Sequence, residues 1–490
     1  MPFTVFTLAM LLICIFCIGK EIFNGFSRGP LRALMSLCVV VLSIICSIFV
    51  SRPLSGLLTK IIAENLVNEL ITSNVPMLAD FQSVLEIVSF LLQSILAGFV
   101  FALLFPIFKL LANTLVSTII KHKLKGYDVK LSAKNSKEKL FGALTGGVCG
   151  LIIAVAITAP MMGTVQLLSS VVDLVEQVRN TVPEDQELAI PELGPIDQYA
   201  NDPVGNFCYA IGGELIYRGV AIGEFQGESL RLVDEFDHIE KTGAHAIEII
   251  GAFYGEDEGF SFSTSSDGLY KEFEKSELLR TVSLEMVSEF SLAWLNGEAF
   301  LGAQIPDFND DFKPMVNELL VVGSGINEYN IMPTLKTLLN VVGVLIECDI
   351  TADSKTAEVD YYLLAPKLCQ ALKDNPEMKN ARLKLENAAI IAIADWANAN
   401  LSGVERASMT ASIAESTAQI YLDITDPQAR LEAVNEELLS QFEELGLTID
   451  PAFSELFANK LVKVAEEKYG QISSQDIETL LDQNRGGMVD

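Results

Sequence analysis

The 490 residues predict an all-α chain: a four-helix transmembrane bundle followed by a large α-helical extracytoplasmic domain. Three observations carry that expectation. Half of the residues are hydrophobic although the formal charge is −30, a pairing foreign to an acidic soluble globule. The charge is also divided, with 13 Lys+Arg against 7 Asp+Glu up to Val165 and 21 against 57 beyond it, so the first third carries +6 and the rest −36. Within that first third lie four charge-free apolar runs. Together these exclude a single soluble globule, a disordered acidic chain and a nucleic-acid binder, which needs a basic face to attract phosphate.

The spans are expected at about 2–19, 33–51, 87–108 and 140–165, the last inside an uncharged run from Leu140 to Val172. About 20 helical residues cover a hydrocarbon core of roughly 30 Å, and each charge at mid-bilayer would cost about 2.5 to 3.5 kcal/mol. A cleaved signal peptide fits the first run poorly, because it lacks a basic leader and continues as Gly19-Lys20-Glu21. Lys20, Arg28 and Arg32 occupy the first loop, and seven lysines lie between Lys121 and Lys139. The positive-inside bias then places these two loops in the cytoplasm, with the N-terminus and everything after about residue 170 outside a plasma membrane crossed four times. Leu54, Leu57, Leu58, Ile61, Ile62 and Leu66 recur at helical spacing, which predicts an amphipathic helix over 54–72 lying along the outer interface or covering the bundle's end.

Span four carries Gly142, Gly146, Gly150, Ala154 and Thr158 at four-residue intervals. Such a stripe lets another helix approach closely, whether a neighbouring span or a second copy of the chain. Pro160 is expected to kink the helix as it leaves the membrane. In the first loop, Gly25 and Gly29 permit a tight turn, while Arg28 and Arg32, four apart, can meet anionic head groups from one helix face, with an anionic ligand as the sharper alternative.

The segment Gly25-Phe26-Ser27-Arg28-Gly29-Pro30-Leu31-Arg32-Ala33-Leu34-Met35-Ser36-Leu37 resembles the first connection of the colicin V production (CvpA-like) family of bacterial membrane proteins. The spaced glycines opening span four, Gly142, Gly146, Gly147 and Gly150, are similar to that family's last span. The resemblance covers residues 1–165. It implies four spans, a bacterial inner or cytoplasmic membrane, and a link to toxin production or envelope physiology.

Beyond the spans, residues 173–203 hold Pro183, Pro191, Pro195 and Pro203 among many acids, which predicts an extended linker. Apolar-periodic stretches at 205–222, 228–252, 270–295, 333–346, 356–371, 377–400, 405–422, 427–446, 451–468 and 474–483 predict helices. They are divided here into parts 204–348 and 349–490, with a short hairpin expected between Tyr254 and Ser263.

Chemistry is sparse. Gly25-Phe26-Ser27-Arg28-Gly29 fits G-x-S-x-G, but a nucleophile elbow needs a strand-turn-helix setting with an acid and a histidine in reach. His238 and His245 lack zinc spacing, and Gly323-Ser324-Gly325 is too little for a serine-protease nucleophile. Asp349–Asp360 lacks the glycine and the bidentate glutamate of a calcium loop. The acidic surface reads as one that keeps a helical domain soluble and away from anionic lipid, with binding of cationic peptides or divalent ions at Glu256-Asp257-Glu258 as the sharper alternative. Cys14 and Cys17 spell C-x-x-C inside an apolar span, where they act as small hydrophobes. Among Cys208, Cys348 and Cys369, the last two would close the shorter loop if any pair is oxidised. Glu86 and Gln93 border span three, and intramembrane polar groups can mark a conduction path.

No catalytic, cofactor or metal site is expected. The partners expected are the lipid bilayer, an envelope protein and, through span four, a second copy; nucleic acid is not among them. The function expected is a membrane-anchored scaffold or envelope-interaction protein, with an oligomeric pore or an accessory subunit of an export system as the alternative.

Overall fold

The computed structural model describes residues 5–74, 82–123, 135–181, 196–253, 261–298, 313–348, 361–449 and 451–486. Two compact units are distinguished: residues 1–247 with 271–282, and residues 248–270 with 283–490.

The first unit is built on four long helices, α1 (Val5–Arg28), α2 (Pro30–Asn74), α3 (Gln82–Lys123) and α4 (Ser136–Thr181). Each contains a stretch long and apolar enough to cross a membrane. Leu8, Leu12 and Ile15 on α1, Leu103, Ile107 and Leu111 on α3, and Phe141, Leu144 and Val148 on α4 remain exposed on the outside of the bundle. Apolar surface on that scale needs lipid or another hydrophobic partner. The chain is therefore a membrane protein with transmembrane helices. α2, α3 and α4, at 45, 42 and 46 residues, overrun the expected spans. At about 1.5 Å per residue each exceeds a 30 Å hydrocarbon core by roughly a factor of two.

Residues 54–72 do not form a separate interfacial helix. α2 runs through Pro53 without a break and carries them as its second half. Ser43, Ser47, Ser51 and Ser55 lie buried along this helix, each hydroxyl donating to a carbonyl one turn back. A proline removes one backbone donor without ending the helix here, and the neighbouring serine hydroxyls add hydrogen bonds to nearby carbonyls. Pro106 in α3 and Pro160 in α4 are likewise inside continuous helices.

Within the bundle α1 packs along α4, and α2 along both α3 and α4. The core between them holds Val40, Phe101, Phe105, Cys149, Ile153 and Ala156, with Phe101 and Phe105 stacked 6.1 Å apart.

After α5 (Ile196–Ala200) the chain returns to the bundle instead of leaving it as the first part of an ectodomain. Asp202 caps α6 (Pro203–Cys208) by accepting from the Gly205 amide at 2.6 Å. A π-turn over Tyr209–Gly213, with Gly212 at φ 139°, redirects the chain into α7 (Glu214–Val220) and breaks the single helix expected over 205–222. A hairpin follows, β1 (Ile222–Phe225) antiparallel to β2 (Glu228–Arg231), with Ile222 opposite Arg231 and Phe225 opposite Glu228. Its two-residue turn, Gln226-Gly227, has both φ angles positive, the twist a tight hairpin requires. The hairpin expected at 254–263 falls almost wholly outside the described residues.

This returning segment packs against the bundle, meeting α3 near Phe90 and Gln93, α2 near Arg52 and α4 near Gly163. Tyr217 is fully buried, with its ring against Gly163 and its hydroxyl 3.2 Å from that of Thr164. Phe225 packs edge-on against Phe90, and Gln93 accepts from the Glu224 amide at 3.0 Å. Arg52 donates to the Gly219 carbonyl at the end of α7 at 3.2 Å. α8 (Leu232–Phe253) then starts directly from β2. The two units therefore meet in sequence at 247/248, 270/271 and 282/283, not at 203/204, and Tyr217, Phe225 and Leu232 share one apolar cluster with Phe90 and Leu167 of the bundle.

The helix expected over 270–295 is two, α9 (Phe262–Lys275) and α10 (Glu277–Leu295). Buried Ser276 separates them, donating to Glu235 at 2.8 Å while Glu235 also accepts from the Leu278 amide at the start of α10. A carboxylate there satisfies orphan amides and meets the positive end of the helix.

The second unit is helical throughout its described residues. It contains α11 (Lys313–Ser324), α12 (Ile331–Glu347), α13 (Tyr361–Leu372), α14 (Lys379–Asn400), α15 (Gly403–Asp423), α16 (Pro427–Glu444), α17 (Pro451–Glu467) and α18 (Ser474–Gly486). Helix starts follow local signals: Ser402 and Glu405 form a reciprocal capping box, and Asp426 caps before Pro427. One core runs from Leu364 to Leu481, centred on Phe442, Phe453 and Phe457. Leu319, Val341 and Leu345 pack against that same core, so the boundary expected at 348/349 does not separate two cores. Residues 349–360 lie outside the described ones.

Candidate functional site

The most chemically loaded feature of the first unit is a cavity of about 850 Å³ at the end of the bundle away from the hairpin. It lies where α1 ends and α2 begins, walled further by α3 around Lys109 and by α4 from Gly146 to Ile157. Four basic side chains line it, Lys20, Arg28, Arg32 and Lys109, against one carboxylate, Glu21. Glu21 and Lys109 form an ion pair at 2.8 Å with both side chains largely buried. Cys17, Phe105, Ile153 and Ile157 make the apolar part of the lining, and Asn24, Ser36 and Asn113 add neutral polar groups.

Helix geometry at the connection places these groups. Gly29 adopts φ 88° and ends α1, its amide bonded to the Gly25 carbonyl at 2.9 Å, and Pro30 opens α2. A left-handed glycine followed by a proline at the first helical position makes a sharp reversal. Arg28 and Arg32 thus belong to different helices, not to one helix face, and both line the cavity. Gly25 is not part of the turn. It sits buried inside α1 with its Cα face on the backbone of Gly142.

The remaining stripe follows suit. A Cβ on Gly142 would strike the Gly25 carbonyl, one on Gly146 the Glu21 carbonyl, and one on Gly150 would lie 2.6 Å from the Ile18 Cα. Ala154 is fully buried in the same core. These small residues let α4 run backbone to backbone with α1 of the same chain, and this contact holds Glu21 at the cavity.

Glu21 and Lys109 were not singled out in the sequence, because both fall just past the charge-free runs that define the expected spans. Gln93 serves the hairpin, as described above. Ser27 donates to the Asn24 carbonyl at 3.1 Å on an exposed helix end. Ser324 donates to the Val321 carbonyl at 2.8 Å where α11 ends. His238 contacts Glu272 at 2.7 Å, and Lys275 reaches the same carboxylate at 2.7 Å. These two partners, Lys275 first, hold Glu272 down to about 2. Among the described residues no group of three or more His, Cys, Asp or Glu could hold a metal ion. Glu256-Asp257-Glu258 and Asp349–Asp360 lie outside the described residues.

No disulfide joins Cys348 to Cys369, and burial pushes the Cys369 thiol up to about 12, far from thiolate chemistry. Elsewhere, Sγ of Cys14 in α1 and Sγ of Cys208 in α6 are 3.5 Å apart.

The second unit has its own cavity, of about 1060 Å³, with Lys367, Lys373, Arg382, Lys460 and Lys463 in its lining. Burial lowers the pKa of Lys460, whose amine donates to Asn387 at 2.8 Å. Glu347, Asp374, Glu386 and Glu455 nearly balance these charges, so this cavity has no strong sign preference.

Comparison with family models, with characterised proteins and with solved structures finds no match to the chain.

Proposed function

We propose that the protein is a multi-pass plasma-membrane protein of the colicin V production type. In this reading it anchors an acidic helical domain outside the cytoplasm and acts as a non-catalytic scaffold for envelope or toxin-export machinery. The observation that carries the reading is the way the bundle is used. α1 and α4 meet through glycine backbone contacts, and Tyr217 and the hairpin pack against the same helices. A bundle held together within one chain in this way suits an anchor. The excess of lysine and arginine in the first and third loops favours their cytoplasmic placement, which puts residues after about 170 outside.

The alternative is a pore or export accessory subunit built by copies meeting through span four. It has less support, because α1 already occupies the face carrying Gly142, Gly146 and Gly150.

Protease added to intact spheroplasts tests the placement: digestion of the acidic region is expected, and protection until lysis would reverse the orientation. Conductance of the full chain in liposomes decides between the readings. A silent bilayer, together with an envelope protein cross-linked to residues 403–486 in cells, is expected of the scaffold; open-channel currents would replace it by the pore.

A further inference from the structure

We infer that residues 203–220 form a re-entrant element seated in one leaflet of the membrane, with Phe207, Ile211 and Leu215 lying against lipid acyl chains. This goes beyond the scaffold reading and rests only on the four spans, not on which side of the membrane the ends of the chain lie.

Contacts with the bundle set the depth of the segment. α1 has 24 residues, about 36 Å of helix, and so hardly exceeds the hydrocarbon core that it crosses. Cys14 sits about 14 Å from its start and about 21 Å from its end. It therefore lies within hydrocarbon wherever the two boundaries fall, and Cys208, its sulfur 3.5 Å from that of Cys14, shares its depth. Other contacts agree. Tyr217 meets Gly163 of α4 and Gly98 of α3, Gly213 faces Ala159, and Gly219 faces Ile48 of α2. Val220, with Ile216 beside it, joins the core that holds Val40, Phe101 and Ile153. Every one of these partners belongs to a charge-free run.

The outer face of the segment continues the apolar surface of the spans. On α4 the exposed large apolar side chains stop at Val148 and resume at Leu168. Between them the segment covers α4 at Ala159, Met162 and Gly163. Phe207, Ile211 and Leu215, four residues apart, are 58%, 44% and 79% exposed, so they present the apolar side chains where α4 is covered. Acyl chains already meet the neighbouring helices, and they are the occupant that such a face suits.

Irregular backbone enters a membrane only where protein satisfies its polar groups. At the π-turn the Glu214 amide donates to the Tyr209 carbonyl, and the Tyr209 amide to the carbonyls of Asn206 and Gly205. The Asn206 side chain donates to the Ala200 carbonyl and accepts from Gln166. Arg218 pairs with Glu214 at 2.9 Å and with Asp234, beyond the hairpin, at 3.0 Å. The two charges of the segment are thus matched and lead towards its exit, as side chains that snorkel to head groups do.

The test uses the unmodified full chain in liposomes of phosphatidylcholine carrying a diazirine on one acyl chain, with labelled residues mapped by mass spectrometry after photolysis. Label is expected at Phe207, Ile211 and Leu215 at a level comparable to that at Leu103 on α3, while Val404 of the second unit, 81% exposed, should stay at background. Leu215→p-benzoylphenylalanine, at a position that packing does not hold, gives a second reading and should form a lipid adduct on a single chain. Label at Leu103 without label at 207, 211 and 215 overturns the inference and leaves the face to water. A cross-link from position 215 to another chain overturns it in favour of a second copy. Label at Val404 equal to that at Leu215 overturns it as unselective. Absence of label at Leu103 as well would overturn the transmembrane assignment and the inference together.

Discussion

Nζ of Lys109 lies 2.8 Å from Oε1 of Glu21, with the two side chains 16% and 9% exposed, at a cavity whose wall also carries Cys17, Phe105 and Ile153. Neither charge is tolerable alone at that depth. Glu21→Gln removes the partner but leaves the ammonium, which is the expensive half of the exchange. The variant should lose about 3 kcal/mol, read as a lowered thermal midpoint of the full chain in detergent. Replacing both members, Glu21→Gln with Lys109→Met, should recover most of that loss because no unpaired charge then remains. A single variant as stable as the parent would show that solvent or another anion already neutralises Lys109.

The pair also shows where the sequence was readable and where it was not. Charge-free runs locate four spans, since burying a charge in lipid is costly. The same rule ends spans one and three at their first charge, at Gly19 before Lys20-Glu21 and at Phe108 before Lys109, although the helices continue. A charge matched across two helices does not end a span, and the match is a tertiary fact. The returning segment was hidden for a similar reason. The helix-like periodicity of 205–222 and 228–252 masked the Gln226-Gly227 turn, itself a visible two-residue hairpin signal. The proline-rich stretch looked like a boundary, yet Tyr217 and Phe225 find their apolar surroundings against the bundle. The small-residue stripe is plain in the sequence, but spacing alone does not distinguish a neighbouring span such as α1 from a second copy as its occupant.

Glycine contacts between α1 and α4 admit a direct comparison. A Cβ at Gly142 meets the backbone of Gly25, which has no flexible side chain to move aside, whereas Gly19 has open space around it. Gly142→Ala should therefore destabilise the bundle by about 1 to 3 kcal/mol through overpacking, and Gly19→Ala should leave it unchanged or slightly stabilised. The readout is the thermal midpoint of both variants beside the parent. Equal midpoints for Gly142→Ala and Gly19→Ala would mean that α1 does not lie on the stripe.

Cys14 and Cys208 provide a chemical ruler for the returning segment. Their sulfurs are 3.5 Å apart although 194 residues separate them in sequence. A mild thiol oxidant such as diamide should join them, the oxidant taking up the two thiol hydrogens as the S–S bond forms. Peptide mapping without reductant would then recover a Cys14–Cys208 cross-linked peptide. Cys369, buried and protonated, should stay unmodified until the chain is unfolded. Cross-linking of Cys208 to any other cysteine would place α6 elsewhere.

Acid stability of the first unit should depend on Glu272, which joins α9 to α8 through His238 and accepts from Lys275 on its own helix. Its partners lower it from the ordinary 4.5 to about 2. A depressed carboxylate stabilises the fold above its unfolded value, and that contribution disappears as pH falls through the folded one. Glu272→Gln should therefore unfold at a lower temperature than the parent near neutral pH. The gap should start to narrow below 4.5 and close near 2, where the parent carboxylate is itself protonated. Lys275→Met removes the larger of the two influences, so its gap should close at a higher pH than the parent's. Thermal unfolding of the three chains in detergent at pH values across that window gives the comparison. A gap between parent and Glu272→Gln that stays constant down to the lowest pH would mean that the lost contribution is packing and not the charge of Glu272.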